Sequence, residues 1–269
     1  MPKSSNDEQN RPATREELEA RVASLTKKLH ELEVRFSQVD RERIEYLQNV
    51  AHQLVAPLNA IKWHIENLTN ARMSLERSKK VLRSVYSQAT IAVHLAKNFA
   101  LMSNLEADHS LAQLQEPVES VDLYRLLVNL ADDFQPLGWD KQVHISVDES
   151  LKKAPPVLAI KNLIAQVFSN IIENAVKYSA KETTVRISSE LESGAVRVLV
   201  RSRGIRLRAE DRARVFDRGF RSPDARNSHP AGTGFGLYIA RKIVEIHDGE
   251  IMAYTDPQDC TVFEVLLDT

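Results

Sequence analysis

One histidine, His52, lies on an apolar helical pattern where its side chain could act as a nucleophile. The apolar residues recur at intervals of 4, 3, 4 and 3: Leu54, Leu58, Ile61, Ile65 and Leu68. His52 is one residue off this face, so we expect its imidazole to be reachable from solvent. A neutral imidazole is nucleophilic near neutral pH. Pro57 cannot donate to the carbonyl of Gln53 and should bend the helix there. The alternative is an ordinary surface histidine, and this segment alone does not decide between them.

Two asparagines in the second half of the chain have the spacing of metal ligands on one helix. Asn170 and Asn174 are one helical turn apart and project from the same face. Amide oxygens suit a magnesium ion that keeps several waters and the phosphates of a substrate. Lys177 adds a cation that attracts phosphate. Asparagines buried on a helix also serve as structural hydrogen-bonding groups, so both interpretations stay open for the pair alone.

Three glycines, Gly232, Gly234 and Gly236, precede a predicted helix that ends near His247. The chain has only 8 glycines, which makes this cluster informative. Glycines before a helix let backbone N–H groups approach phosphates, and the helix dipole also favours an anion. A flexible turn without a ligand is the alternative.

Two phenylalanines, Phe216 and Phe220, precede a polar stretch that contains Pro223 and Pro230. This arrangement is typical of a mobile lid anchored by aromatic side chains. It is equally compatible with two aromatic core residues beside a surface loop.

The first half of the chain predicts helices that need a partner. Residues 1–13 are polar and predict a disordered tail. Residues 14–43 predict a coiled coil, with apolar residues alternating at intervals of 4 and 3: Leu18, Val22, Leu25, Leu29, Leu32, Phe36 and Val39. Arg43 interrupts this pattern, which either alters the supercoil before His52 or is a charged position without a signalling role.

Residues 44–106 predict a helical hairpin, with one helix ending near Asn70 and a second over about 75–105. Such a hairpin has too little core to be stable alone, so two copies should form a four-helix bundle. The coiled coil and the hairpin therefore both predict a homodimer.

The spacing of apolar residues changes in the second half of the chain. Residues 107–121 predict a linker, and residues 122–269 predict an α+β sandwich with helices on one face of a sheet. The predicted helices cover about 123–134, 157–177, 209–217 and 235–247. The predicted strands cover about 143–147, 185–187, 196–200, 250–254 and 261–267, with a turn at Gly194.

Composition excludes several classes of function. Lysine and arginine total 36 against 37 aspartates and glutamates, so nothing predicts binding to nucleic acid or to an anionic membrane. The single cysteine, Cys260, excludes an internal disulfide. No apolar run reaches the length of a membrane span, and the polar start is unlike a signal peptide. We therefore expect a soluble cytoplasmic protein.

Together these segments resemble the catalytic core of two-component sensor histidine kinases, over about residues 40–269. His52 with Pro57 and Leu58 matches the family's phospho-acceptor box. The N box, which holds magnesium and ATP in the family, matches at Asn170, Asn174, Lys177 and Tyr178. The F box matches at Phe216 and Phe220. The first glycine box matches at Ser202 and Gly204, and the second at Gly232, Gly234 and Gly236.

The resemblance implies a dimeric phospho-acceptor hairpin followed by a Bergerat-type ATP-binding domain. It implies that His52 is phosphorylated from ATP with Mg²⁺, and that the phosphoryl group then passes to an aspartate on a response-regulator receiver domain. Positioning and neutralisation of charge would supply most of the catalysis. Gln53 takes the position of a residue that orients the imidazole.

The sequence departs from the family's pattern at four positions. Gln53 stands where an acidic residue is usual, and Ala56 stands where a threonine or asparagine supports phosphatase activity. Ser202 replaces an aspartate that recognises the adenine amino group, and Arg206 replaces a glycine. These departures favour a second hypothesis, a dimeric signalling scaffold of the same fold that binds nucleotide weakly or not at all.

Overall fold

The structure is a computed structural model that describes residues 15–70, 73–106, 117–229 and 232–269. The predicted tail and residues 107–116 of the predicted linker lie outside this part of the chain. The chain forms two compact units that divide between Asn49 and Val50.

Helix α1 covers Arg15–Asn70, so the predicted end of the first hairpin helix is confirmed, and Pro57 lies inside the helix. In the N-terminal unit, the side chains of the predicted coiled-coil seam are exposed: Leu18, Val22, Leu25, Leu29, Leu32 and Phe36. The side chains of Val39 and Arg43 lie outside the described part. A single chain leaves this seam uncovered, and the coiled coil stays a prediction.

The larger unit starts with the end of α1, which is followed by helix α2, Leu75–Glu106. Helix α2 packs against the helices of the following domain, and its Met102 side chain is only 1% exposed. Leu58 and Ile65 of the apolar stripe on α1 stay exposed at 54% and 47%. The hairpin therefore covers only part of its predicted apolar face within one chain.

The rest of the larger unit contains both helices and strands. The helices are α3 Leu123–Gly138, α4 Lys161–Tyr178, α5 Pro223–Ser228 and α6 Gly236–Ile246. The strands are β1 Glu119–Val121, β2 His144–Val147, β3 Val157–Ala159, β4 Thr184–Glu192, β5 Ala195–Ser202, β6 Glu250–Thr255 and β7 Thr261–Asp268. The Asp122 carboxylate caps α3 by accepting a hydrogen bond from the Arg125 backbone N–H.

Among the described residues, five strands form one sheet in the order β2-β4-β5-β7-β6. Strands β2 and β4 are parallel, and the other neighbouring pairs are antiparallel. Val196, Val198 and Val200 of β5 are fully buried, and helices α3, α4 and α6 pack together and against the sheet. The predicted turn at Gly194 is confirmed, with φ +84°. The α+β architecture agrees with the predicted fold class.

Three predictions of secondary structure were wrong. Residues 209–217 form two short 3₁₀ turns, Ala209–Asp211 and Arg214–Phe216, instead of a helix. A short, charged segment is a marginal helix, so tertiary contacts decide its conformation. Strands β1 and β3 pair with each other and were not predicted, because three residues are too few to show an alternating pattern. Helix α4 therefore begins at Lys161 and not at Val157.

No helix in the described ranges combines the length and the apolar character that crossing a bilayer requires.

Candidate active site

A cleft in the larger unit brings most of the predicted site residues together. The volume of the cleft is about 1060 Å³, which includes the space at its opening to solvent. Ten of the predicted residues line it: Gln53, Asn170, Asn174, Lys177, Tyr178, Ser202, Phe220, Gly232, Gly234 and Gly236. They come from α1, α4, the end of β5, the loop that contains Phe220 and the segment at the start of α6, so the fold assembles the cleft from distant parts of the chain.

Helix α4 supplies the amide side chains. Its buried face includes Phe168 and Ile172, both with no exposed surface, and this packing fixes the rotation of the helix. Asn170 is 2% exposed, and Asn174 follows one turn later at the cleft. A Cβ atom added to Gly236 would lie 2.7 Å from Asn170 Oδ1, so glycine keeps the space beside this oxygen open. Both amides can therefore face a ligand in the cleft.

The glycine segment needs its glycines for two different reasons. Gly234 has φ +72°, and an added Cβ would lie 2.7 Å from the Gly219 carbonyl carbon. Gly232 lies against Arg221, whose guanidinium donates to the Gly232 carbonyl at 3.3 Å. This segment is therefore closely packed against the Gly219–Arg221 loop.

The far end of the cleft lies at the sheet. Ser202 pairs in register with Thr261 at the end of β5 and β7, and both residues line the cleft. Ser202 is 6% exposed. Arg206 also lines the cleft, and its guanidinium lies 2.7 Å from the Asp259 carboxylate. Among the described residues, two hydroxyl groups and the Arg206 guanidinium, and no carboxylate, therefore line this end of the cleft.

Two predicted ligand-binding residues, Gly204 and Phe216, are not part of the lining. Phe216 is 4% exposed and fills the core, so Phe220 alone of the pair reaches the cleft. Gly204 forms a β-bridge with Ser179. A Cβ atom added to Gly204 would lie 2.0 Å from the Tyr178 carbonyl oxygen. Gly204 thus allows β5 and the end of α4 to approach each other closely.

We expect Gly204→Ala to destabilise the fold by about 1–3 kcal/mol or more, because backbone atoms that cannot move aside occupy the space for the new methyl group. Thermal or denaturant unfolding measures the loss. Gly194→Ala is the control, since an added Cβ there meets nothing within 4 Å and only the backbone conformation opposes it. Equal stability of Gly204→Ala and wild type would contradict the close approach.

The His52 side chain is exposed, in agreement with its predicted position off the apolar face. It does not line the cleft, whereas its neighbour Gln53 does. The backbone N–H groups of Gly232 and Thr233 point toward the Gln53 amide. We therefore assign the amide oxygen as their hydrogen-bond acceptor, at 3.2 and 3.1 Å. The candidate acceptor histidine is therefore one residue from a direct contact with the glycine segment.

Comparison with known families assigns the second half of the chain. Residues 159–269 match the family described as histidine kinase-, DNA gyrase B- and HSP90-like ATPases. The chain is 25% identical over 230 residues to the sensor-like histidine kinase SenX3 of Mycolicibacterium smegmatis, covering 84% of this chain and 58% of SenX3. It is 28% identical over 220 residues to the sensor histidine kinase WalK of Bacillus subtilis, covering 80% of this chain and 35% of WalK. These matches support a histidine kinase catalytic core.

The chain spans about half the length of the SenX3 relatives that it matches and about a third of WalK. Two solved structures share its fold. Acinetobacter baumannii AdeS has a TM-score of 0.50 at 18% identity, covering 81% of this chain and 97% of AdeS. Full-length ShkA in complex with AMPPNP has a TM-score of 0.54 at 22% identity, covering 83% of this chain and 45% of ShkA. Both support the fold, a helical region followed by an α/β domain.

The structure also places three further residues in the cleft, which were not predicted from the sequence. Glu173 lies between the two asparagines on α4, Arg221 follows Phe220, and Asn98 comes from α2. Glu173 and Arg221 belong to motifs that were already recognised, so their position beside the matched residues was a usable signal. Asn98 had no such signal, because it is far from every motif in the sequence.

Two cations, Lys177 and Arg221, line the cleft and favour an anionic ligand there. Burial lowers the pKa of Lys177, and the neighbouring Arg221 lowers it further, while Glu173 opposes both. Two cations that repel each other in a partly buried site favour an anion between them. Burial raises the pKa of Glu173, but the hydrogen bond and charge of His94, together with Lys177, outweigh this effect and hold that pKa below its ordinary value. Glu173 is therefore ionised at neutral pH.

The described residues fit magnesium through amide oxygens. They contain no group of three His, Cys, Asp or Glu side chains suited to hold a metal ion. Asn170 and Asn174 supply oxygen atoms on one face of α4, and Glu173 is the carboxylate between them. A site with few protein ligands suits Mg²⁺, because this hard cation keeps several waters and also binds the phosphates of the nucleotide.

Proposed function

We propose that this chain is an ATP-dependent protein-histidine kinase of two-component signalling. One observation carries the proposal: a single cleft joins the two asparagines, the glycine segment and the residue next to an exposed histidine. A nitrogen of the His52 imidazole attacks the γ-phosphorus of ATP, the bond to the β-phosphate oxygen breaks, and ADP leaves. The phosphoryl group then passes from His52 to an aspartate carboxylate on a response-regulator receiver domain.

Each group in the cleft has a part in this proposal. Asn170 and Asn174 hold Mg²⁺, which neutralises charge on the phosphates when it is bound. Lys177, Tyr178 and Phe220 enclose the nucleotide, and the N–H groups around Gly232, Gly234 and Gly236 bind phosphate oxygens. Gly204 acts indirectly by allowing the close approach of strand and helix. The imidazole of His52 is exposed and accepts the terminal phosphate from a loaded cleft, of the same chain or of its partner.

The proposed kinase is a homodimer. Six apolar side chains of the seam on α1 are more than half exposed in one chain, although their spacing fits a coiled coil. Leu58, Ile65 and Leu82 of the hairpin are exposed as well. A second copy of the chain would cover both surfaces, as in a four-helix bundle.

The deciding experiment incubates the purified chain with Mg²⁺ and ATP labelled on the γ-phosphate. We expect label on the protein that is lost in acid and kept in alkali, as for a phosphorus–nitrogen bond. A receiver domain added afterwards should remove the label. Absence of an acid-labile label, at a nucleotide concentration that raises the melting temperature, would refute the kinase activity.

Ser202 favours a second candidate, a scaffold of the same fold that binds nucleotide weakly. A hydrogen bond from the adenine amino group to a carboxylate would be worth roughly 1.5–3 kcal/mol, and the Ser202 hydroxyl provides no charge. Arg206 adds a cation at the same end of the cleft. A thermal shift with Mg²⁺ and ATP discriminates the two candidates, since a scaffold without affinity would show none.

We expect Ser202→Asp to tighten binding of adenine nucleotides by about 10- to 150-fold, because a carboxylate accepts a stronger hydrogen bond than a hydroxyl group. Without nucleotide the variant should be less stable, since it buries a charge that lacks a partner. Isothermal titration with Mg²⁺ and AMPPNP measures the affinity, and Ser202→Asn is the neutral control. Unchanged affinity of Ser202→Asp would place the nucleobase elsewhere.

A further inference from the structure

Three side chains of the hairpin, Gln53, His94 and Asn98, touch the polar groups of the cleft. We refer to these contacts as the hairpin contacts. All of them join parts of the larger unit in one and the same chain. They involve the groups that the proposed function assigns to Mg²⁺ and phosphate.

The first hairpin contact joins Gln53 to the glycine segment. With its amide oxygen assigned toward these donors, Gln53 accepts hydrogen bonds from the N–H groups of Gly232 and Thr233, at 3.2 and 3.1 Å. Each backbone N–H carries a single hydrogen to donate. While these two groups donate to Gln53, they cannot donate to a phosphate oxygen. The carbonyl of Gln53 therefore takes the place of a ligand oxygen at this turn.

The second hairpin contact joins Asn98 to the candidate magnesium ligand Asn170. The Asn98 amide nitrogen donates to Asn170 Oδ1 at 2.8 Å, and the Asn170 amide nitrogen donates to Asn98 Oδ1 at 3.1 Å. Gln166 also donates to Asn98 Oδ1, at 2.8 Å. This network is partly buried, so its donors are costly to leave unpaired. It holds the Asn170 oxygen toward an N–H donor and not toward a cation.

The third hairpin contact joins His94 and Glu173. Their side chains meet at 2.5 Å, and His94 is 4% exposed. The His94 ring also packs edge-on against Phe134, with the centroids 5.6 Å apart. A buried histidine that donates to the carboxylate between the two asparagines ties α2 to the middle of the N-box face of α4.

We propose that the hairpin inhibits the nucleotide site of the same chain. Gln53 occupies the phosphate-binding N–H groups of Gly232 and Thr233, and Asn98 occupies the Asn170 amide, until Mg²⁺ and nucleotide displace them. The inference rests on the proposed function, which assigns these groups to the nucleotide. The exposed position of His52 agrees with a resting arrangement, because Gln53 and not His52 reaches the cleft. Release of Gln53 frees the helix segment that carries His52.

The test compares the binding of Mg²⁺ and AMPPNP, by isothermal titration, in wild type, Gln53→Ala, Asn98→Ala and the double variant. Each single substitution should tighten binding by about 2- to 10-fold, the effect of one net hydrogen bond that no longer competes. The double variant should bind more tightly than either single variant. Asn59→Ala and Lys97→Ala are the controls, because both side chains are exposed on the same two helices.

A second measurement does not depend on nucleotide. Amide hydrogen exchange at Gly232 and Thr233 should be slow in the wild-type protein and faster in Gln53→Ala. Equal exchange in both proteins would overturn the inference.

Weaker nucleotide binding by Gln53→Ala and Asn98→Ala would also overturn the inference, since these residues would then support the bound ligand. Unchanged affinity would do the same while leaving the proposed kinase intact. If wild type and all variants bound no nucleotide, the proposed function would fail and this inference with it.

Discussion

Replacing His52 by alanine is expected to abolish the acid-labile phosphate label completely, while nucleotide binding stays within about twofold of wild type. The side chain is exposed and does not line the cleft, so its loss removes the acceptor and leaves the nucleotide site unchanged. For the same reason the melting temperature should change little, as for most surface substitutions. Labelling with γ-phosphate and titration with AMPPNP are measured on the same preparation.

The control for this experiment is His30→Ala, which removes another exposed histidine from α1. It should be labelled as strongly as wild type. Acid-labile label that survives in His52→Ala would show that another histidine is the acceptor. Loss of nucleotide binding in His52→Ala would show instead that the imidazole belongs to the nucleotide site.

The second large effect is expected for Asn174→Ala. This substitution should remove magnesium-dependent binding of nucleotide. The loss of affinity should exceed the roughly 10- to 100-fold loss that results from removing an outer-shell partner of a metal ligand. Asn174 lines the cleft one helical turn from Asn170, and Asn170 and Glu173 are the other candidate oxygen ligands that α4 places there. Titration of AMPPNP at several Mg²⁺ concentrations measures the effect.

Asn174→Asp provides the matched comparison, because it keeps an oxygen ligand of the same size and should retain magnesium-dependent binding. The unliganded Asn174→Ala protein should melt close to wild type, since the residue is only half-buried. Retained dependence on Mg²⁺ in Asn174→Ala would refute a role for this amide as a metal ligand. It would leave Asn170 and Glu173 as the remaining candidates.

The two predictions separate the halves of the proposed reaction. His52→Ala tests the acceptor without affecting the nucleotide, and Asn174→Ala tests the nucleotide without affecting the acceptor. A mixture of the two variants then tests the proposed dimer. Label on the Asn174→Ala chain in this mixture would show that one subunit phosphorylates its partner, while absence of label would show that each cleft serves its own His52.

The sequence by itself determined the features that depend on local spacing. The intervals between apolar residues predicted α1, α2 and α3, because one helical turn repeats the same face. The four-residue spacing of Asn170 and Asn174 placed both amides on one side of α4 for the same reason. Glycines before α6 indicated a turn with special backbone conformations, and Gly234 has φ +72°. These are properties of a few consecutive residues.

Only the tertiary structure decided which distant groups meet. Phe216 and Phe220 have equivalent places in the sequence, yet one fills the core and the other lines the cleft. Asn98 pairs with Asn170 across 72 residues, and no periodic pattern encodes such a contact. Gln53 contacts the glycine segment because packing brings two remote surfaces together. Periodicity fixes which face a side chain takes, but the packing of elements fixes what that face touches.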